Sequence, residues 1–177
     1  MSIFRPAGPV FQNYDVHQLN QGGGVLTAGT LQVATIDLPF GFLVTNLYWM
    51  VGTTALVLGT TPHYWLAVFD SATRALLGQS TDDTAPVLAA SAVVTKPLSA
   101  AYTTTYAGQF LVGMMVNQTG GTMPTFTGFA SLSAVQGATS VGGQKFAGSS
   151  STALGATAPN PAGAITQLGN VPWVGVS

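Results

Sequence analysis

Pro62-His63-Tyr64-Trp65-Leu66-Ala67-Val68-Phe69-Asp70-Ser71-Ala72-Thr73-Arg74-Ala75-Leu76-Leu77-Gly78-Gln79-Ser80 reads as a β-hairpin, and the rest of the chain is arranged around it. Tyr64 to Phe69 is a run of aromatic, branched and small apolar residues, the composition that suits a pleated, buried surface. Asp70-Ser71-Ala72-Thr73 supplies turn chemistry, because Asp and Ser side chains bond to nearby backbone and stabilise a reversal. Ala75 to Leu77 restarts an apolar strand that Gly78 ends or bulges. Both faces of the first strand are apolar: Tyr64, Leu66 and Val68 on one side, Trp65, Ala67 and Phe69 on the other. Such a strand belongs in the middle of something, under a second sheet, a neighbouring subunit, or both.

The flanking sequence repeats the theme. Thr30 to Leu38 predicts a strand stopped by Pro39 and Gly41, and Phe42 to Val51 another, interrupted by Thr45. Val87 to Leu98 reads as an edge strand broken by Pro97. Gln109 to Val116 is a second two-sided apolar strand, and about Thr125 to Leu132 the last clear one. No window carries a sustained helical period with caps. The pattern predicts an all-β chain, an antiparallel β-sandwich of jelly-roll type. Residues 1–24 read as an N-terminal arm, 25–136 as the sandwich, and 137–177 as a Gly/Ser/Thr-rich C-terminal arm ending in a possible strand.

Composition narrows the function. The chain has 177 residues, long enough to bury a core, and 47% are hydrophobic, but only 5% are charged against ~25% in a typical soluble domain. A net charge of −1 gives almost no colloidal repulsion, so much of the surface is expected to be covered in an assembly. Four scattered basic residues exclude an electrostatic nucleic-acid footprint or a polybasic membrane patch. With no cysteine there is no disulfide framework and no thiolate metal site. The N-terminus lacks a secretory h-region, and no apolar run reaches the ~18 residues of a membrane span.

Catalytic patterns are weak. The two histidines are His17 and His63, and no Gly-x-Ser-x-Gly elbow occurs. His63 stands at a strand start, the place of a structural histidine, and His17 with Asp15 does not make a metal site. Asp82 and Asp83 are adjacent, so in extended chain they point to opposite faces and cannot act as paired carboxyls. A calcium site there lacks the EF-hand spacing. Gly142-Gly143-Gln144-Lys145 lacks phosphate-loop spacing, and Asn117-Gln118-Thr119 matches a glycosylation acceptor only as a short pattern. Trp49 and Trp65 lie within strands and read as core, whereas Trp173 reads equally as a core or an interface anchor. No catalytic, metal or cofactor residue is expected.

The pieces Pro62-His63-Tyr64-Trp65-Leu66-Ala67-Val68-Phe69-Asp70-Ser71, Tyr102-Thr103-Thr104-Thr105-Tyr106-Ala107-Gly108 and Ala158-Pro159-Asn160-Pro161-Ala162 resemble short β-rich virion proteins of tailed actinobacteriophages, described as tail or minor structural components. The likeness spans most of residues 25–177 and rests on structural rather than catalytic motifs. It implies a non-enzymatic structural protein of the virion, attached to the capsid or tail surface, with other virion proteins as partners. Two-sided strands and scarce charge add self-association, most simply of closed symmetry, with a trimer as the guessed number of copies. The expected assembly contacts are Phe4, Phe11, Phe146, Leu154, Ile165, Leu168, Trp173 and Val174, the widely spaced apolar residues of the two arms. A host-surface glycan-binding adhesin is the leading rival, and a cell-surface hydrolase fragment a weaker one.

Overall fold

The computed structural model describes residues 9–13, 24–130, 147–168 and 170–177. Along the chain the strands are β1 (Phe11–Gln12), β2 (Leu31–Leu38), β3 (Leu43–Met50), β4 (Thr60–Asp70), β5 (Leu76–Gln79), β6 (Val93–Thr103), β7 (Gly108–Thr119), β8 (Gly128–Ala130), β9 (Ala147–Ser150), β10 (Thr166–Gln167), β11 (Asn170–Pro172) and β12 (Val174–Val176). The described residues include no helix.

Two antiparallel sheets pack face to face. One has the order β1-β12-β3-β6, the other β10-β9-β2-β7-β4-β5, and β8 with β11 forms a small ribbon. Leaving out β8–β11, the two orders β1-β12-β3-β6 and β2-β7-β4-β5 are those of a jelly roll, in which successive strands alternate between sheets except across the β4–β5 hairpin. The two apolar strands β4 and β7 lie side by side at the centre of the larger sheet, with Tyr64 opposite Val116 and Val68 opposite Val112.

Alternation along these strands builds two cores. Tyr64, Leu66, Val68, Phe110, Val112, Met114 and Val116 face the other sheet, where Leu47, Trp49, Val174 and Val176 meet them. Trp65, Ala67, Phe69, Leu111 and Met115 point outward with Leu31 and Val33. This outer layer is covered by the chain itself: Ala158 and Ala162, with Leu154 and Ile165, close over it. The segment 151–165 is thus a strap, and its backbone is pinned by side chains of the sheet. Trp65 Nε1 donates to the Gly155 carbonyl at 2.7 Å, Asn117 Nδ2 to the Leu154 carbonyl at 2.8 Å, and Arg74 Nη1 to the Gly163 carbonyl at 3.0 Å. Gln79 is used at both ends of its amide, donating to the Ala156 carbonyl and accepting from the Ala158 N–H.

The described C-terminal strands β9 and β12 join the chain's own sheets. β9 continues the larger sheet beyond β2, and β12 inserts between β1 and β3, pairing Val174 with Trp49 and Val176 with Leu47. The boundary at residue 137 therefore separates strands that share both sheets. The reason is valence: β3 pairs with β6 on one side and has a second edge, which β12 fills. Phe11, likewise, belongs to a strand paired with β12 and sets its ring edge-on to Phe42 at 4.9 Å.

Local details also have physical causes. Thr45, which interrupts β3, lies at a register shift between Val44 and Asn46, and the Ser177 carbonyl accepts from both the Thr45 and Asn46 N–H groups. The edge strand expected at 87–98 begins only at Val93, because Leu88, Ser91 and Ala92 spend their backbone bonds on Leu56, Gly52 and Val51. Pro97 is on an edge strand as its missing N–H requires.

Candidate functional site

In a chain so poor in charge, one place gathers it. β4 presents His63 and Tyr64, the loop after β5 presents Asp82 and Asp83, and β6 of the opposite sheet presents Lys96. The loop is held against β4 by paired backbone bonds, Tyr64 N–H to the Asp83 carbonyl and Asp83 N–H to the Tyr64 carbonyl. Asp82 Oδ2 then lies 2.7 Å from His63 Nδ1 while its Oδ1 accepts from the Tyr64 N–H at 3.1 Å. Asp83 Oδ2 takes the Lys96 ammonium at 2.6 Å, and Oδ1 takes the Ala85 N–H at 3.0 Å. Lys96 Nζ also stands 5.0 Å from the centre of the Tyr64 ring, a cation–π distance.

The electrostatics follow from these contacts. The Lys96 bond holds the Asp83 carboxyl below its ordinary value, with the Ala85 N–H adding to it against partial burial. Burial, and secondarily the Asp83 charge, drives the Tyr64 phenol far up. Its hydroxyl finds no partner among the described residues.

What this cluster can do chemically is limited by how its groups are spent. His63 with Asp82 has the form of a base and its orienting carboxylate, but no hydroxyl among the described residues bonds to the histidine as a nucleophile would. Asp82 and Asp83, on adjacent residues, serve partners on different sheets, so they do not face a common substrate position. Among the described residues no three His, Asp or Glu side chains come together as metal ligands would. The arrangement ties the loop 80–85 to both sheets.

A second joint unites the hairpin with the Tyr102–Gly108 turn and the Ala158–Ala162 turn. Tyr106 donates its hydroxyl to Asp70 Oδ2 at 2.7 Å and stacks its ring on Phe110 at 4.6 Å. Asn160 Oδ1 accepts from the Leu76 N–H, and the Ala162 N–H donates to the Arg74 carbonyl, so the strap closes over the same hairpin. Tyr106, Asn160 and Ala162 are thus fastenings of the hairpin.

The residues expected as assembly contacts are divided by the structure. Phe4 and Phe146 lie outside the described residues, as do His17, Asp15 and the stretch Gly142 to Lys145. Trp173, read equally as a core or an interface anchor, and Val174 are both buried in the chain's own sandwich, where β12 fills the gap between β1 and β3. Leu154 and Ile165 pack on the chain's own outer layer, Phe11 packs on the inter-sheet core, and Leu168 is half-buried beside a cavity. The exposed large apolar residues are others. Phe40 (73% exposed) and Leu43 flank the β2–β3 turn, and Val57, Leu58, Val87 (86% exposed) and Val93 lie toward the opposite end. Sequence reading missed these because a single apolar residue in a turn or at the first position of a strand carries no period. It also missed the amides of Asn13, Gln79, Asn117 and Gln118 that hold loops to strands, for which sequence has no signal.

Comparison with known protein families and with curated proteins finds no match to this chain.

Proposed function

We propose that this chain is a non-enzymatic structural protein of a tailed-phage particle, self-associating and attached to the capsid or tail surface. The observation that carries the reading is a jelly roll in which the charged side chains among the described residues are largely consumed in internal ties while large apolar residues stand exposed at both ends. Such a surface has little to keep copies apart and apolar area to bring them together. The resemblance of the hairpin, the Tyr102–Gly108 turn and the Ala158–Ala162 turn to phage virion proteins supplies the particle. Two-sided apolar strands no longer argue for a partner, since the strap covers their outer face. The adhesin reading, in turn, loses its indole platforms: Trp49, Trp65 and Trp173 are all buried.

The test has two readouts. Light scattering behind a sizing column should give a closed oligomer at micromolar concentration, little changed by salt because the chain carries few charges to screen. Mass spectrometry of purified particles of the encoding phage should find the chain as a stoichiometric component. A soluble 18.0 kDa monomer absent from particles refutes the proposal.

A further inference from the structure

Gln32 carries a buried amide oxygen that no described residue uses. On β2 it alternates with Leu31 and Val33 of the outer layer, so it shares the inter-sheet face with Ala34, Ile36 and Leu38. It is 3% exposed, and its Oε1 has no hydrogen-bond partner among the described residues. An acceptor left so loses its bonds to water with nothing in exchange, a cost that an apolar side chain of the same length would avoid.

Beside Gln32 lies a cavity of about 330 Å³ between the β2–β9 edge and the β8–β11 ribbon. Thr30, Ser149 and Asn170 line it with hydroxyl and amide groups, and Phe126 and Leu168 give it an apolar side. Phe126 is fixed edge-on against Trp49, at 6.4 Å between centroids. Gly24 lets the wall close there, since a Cβ at that position would stand 2.9 Å from the Phe126 ring. The rim is reached from solvent past Thr27, which is exposed.

None of the described residues lining the cavity is titratable. A charged ligand entering would lose hydration with no opposite charge among the described lining residues to replace it. The volume is at the small end of the ~300–1,000 Å³ range of ligand pockets, room for one ring. Several hydroxyl and amide groups around so small a space suit a molecule that carries donors and acceptors on all sides and an apolar C–H face. The geometry points to a binding site for one neutral pyranose sugar, with its hydroxyls on Gln32, Thr30, Ser149 and Asn170 and a C–H face on Phe126 and Leu168. This assignment does not rest on the particle reading.

The experiment titrates the full chain, labelled with ¹⁵N, with glucose, galactose, mannose and rhamnose up to about 10 mM, and with glucuronate and glucosamine as charged counterparts. One neutral sugar should shift the Gln32 side-chain amide together with the Ser149 and Asn170 signals and raise Tm, while the charged counterparts do neither. Gln32→Met should raise the ligand-free Tm, by removing the orphaned acceptor, and weaken binding at least about tenfold. Thr30→Val, at a half-buried position, should weaken it as well and decides the matter if Gln32→Met does not fold. A glycan array separates the sources: response to the free sugar alone marks a small-molecule ligand, and added response to glycans ending in it marks a terminal unit, both supporting the site. No shift with any neutral sugar, or variants that bind as the wild type does, overturns the assignment.

Discussion

Asp70 has a carboxylate that does two jobs at once. Its Oδ1 accepts from the Ala72 N–H, the Thr73 N–H at 2.6 Å and the Thr73 hydroxyl at 2.8 Å, closing the turn, and its Oδ2 accepts from Tyr106. Burial pushes this carboxyl up, but the four donors together outweigh it and hold it below its ordinary value of 3.8. Asp83 is lowered too, chiefly by Lys96. Both carboxyls therefore bind their proton less readily folded than unfolded. Their stabilisation is complete above the unfolded value and is lost as pH falls through the lower folded ones. Tyr106 acts in the opposite range: burial, then the bond to Asp70, pushes it up to about 12, so its contribution is full below the ordinary value of 10 and lost as pH rises through the folded value. Urea midpoints measured between about pH 7 and about pH 2 should fall steeply below about pH 4 for the wild type and much less for the Asp70→Asn, Asp83→Asn double variant. An equal acid slope in both would mean that these bonds do not contribute. The turn chemistry of Asp70 is legible in the sequence, because an Asx turn is local. Its bond to Tyr106 and the reach of Lys96 to Asp83 are not, since they span strands whose order the sequence does not state.

At the scale of elements, the hairpin β4–β5 and the strap 151–165 depend on each other. The strap has small side chains, and ordering its backbone costs ~1–2 kcal/mol per residue. Three contributions offset that: apolar anchors at Leu154 and Ile165, close packing of Ala158 and Ala162 on the aromatic layer, and side-chain bonds from Trp65, Arg74, Gln79 and Asn117. Replacing Trp65 with Phe removes the bond to Gly155 and some volume, and should cost about 2 kcal/mol. The Leu154→Ala, Ile165→Ala double variant should loosen the strap while the inter-sheet core stays folded. It should bind a hydrophobic dye and be cut by protease within 151–165 faster than the wild type. Unchanged proteolysis there would show that the anchors do not hold the strap. Gly113 belongs to the same layer: a Cβ at that position would stand 2.6 Å from Leu31 Cδ1, so β7 carries glycine where Leu31 crosses it.

At the scale of the whole molecule, the chain is closed by its last residues. β12 sits between β1 and β3, Ser177 accepts from the interrupted stretch of β3, and Asn13 brackets the final strand by donating to the Pro172 carbonyl and accepting from the Val174 N–H. Removing residues 147–177 therefore takes a strand from the middle of one sheet, a flank from the other, and the cover from the outer layer. The truncated chain should lose its cooperative thermal transition, read by circular dichroism, instead of leaving the intact β-rich core that a detachable arm would leave. A sharp transition and native spectrum after truncation would restore the arm.

The sequence by itself determined the class of fold and the position of its centre. Period-two alternation, apolar runs on both faces of β4 and β7, and Gly, Pro and Asp turns are local signals, and they translate directly into strands and reversals. Only the tertiary structure decided what covers the outer face of β4, and the answer is the chain's own strap rather than a neighbour. The physical reason is that the strap docks through backbone carbonyls and small side chains, which have no periodic signature. Gln32 was hidden in the same way: a polar residue between Leu31 and Val33 reads as solvent-facing, and only the second sheet and the β8–β11 ribbon turn that face into the wall of a cavity.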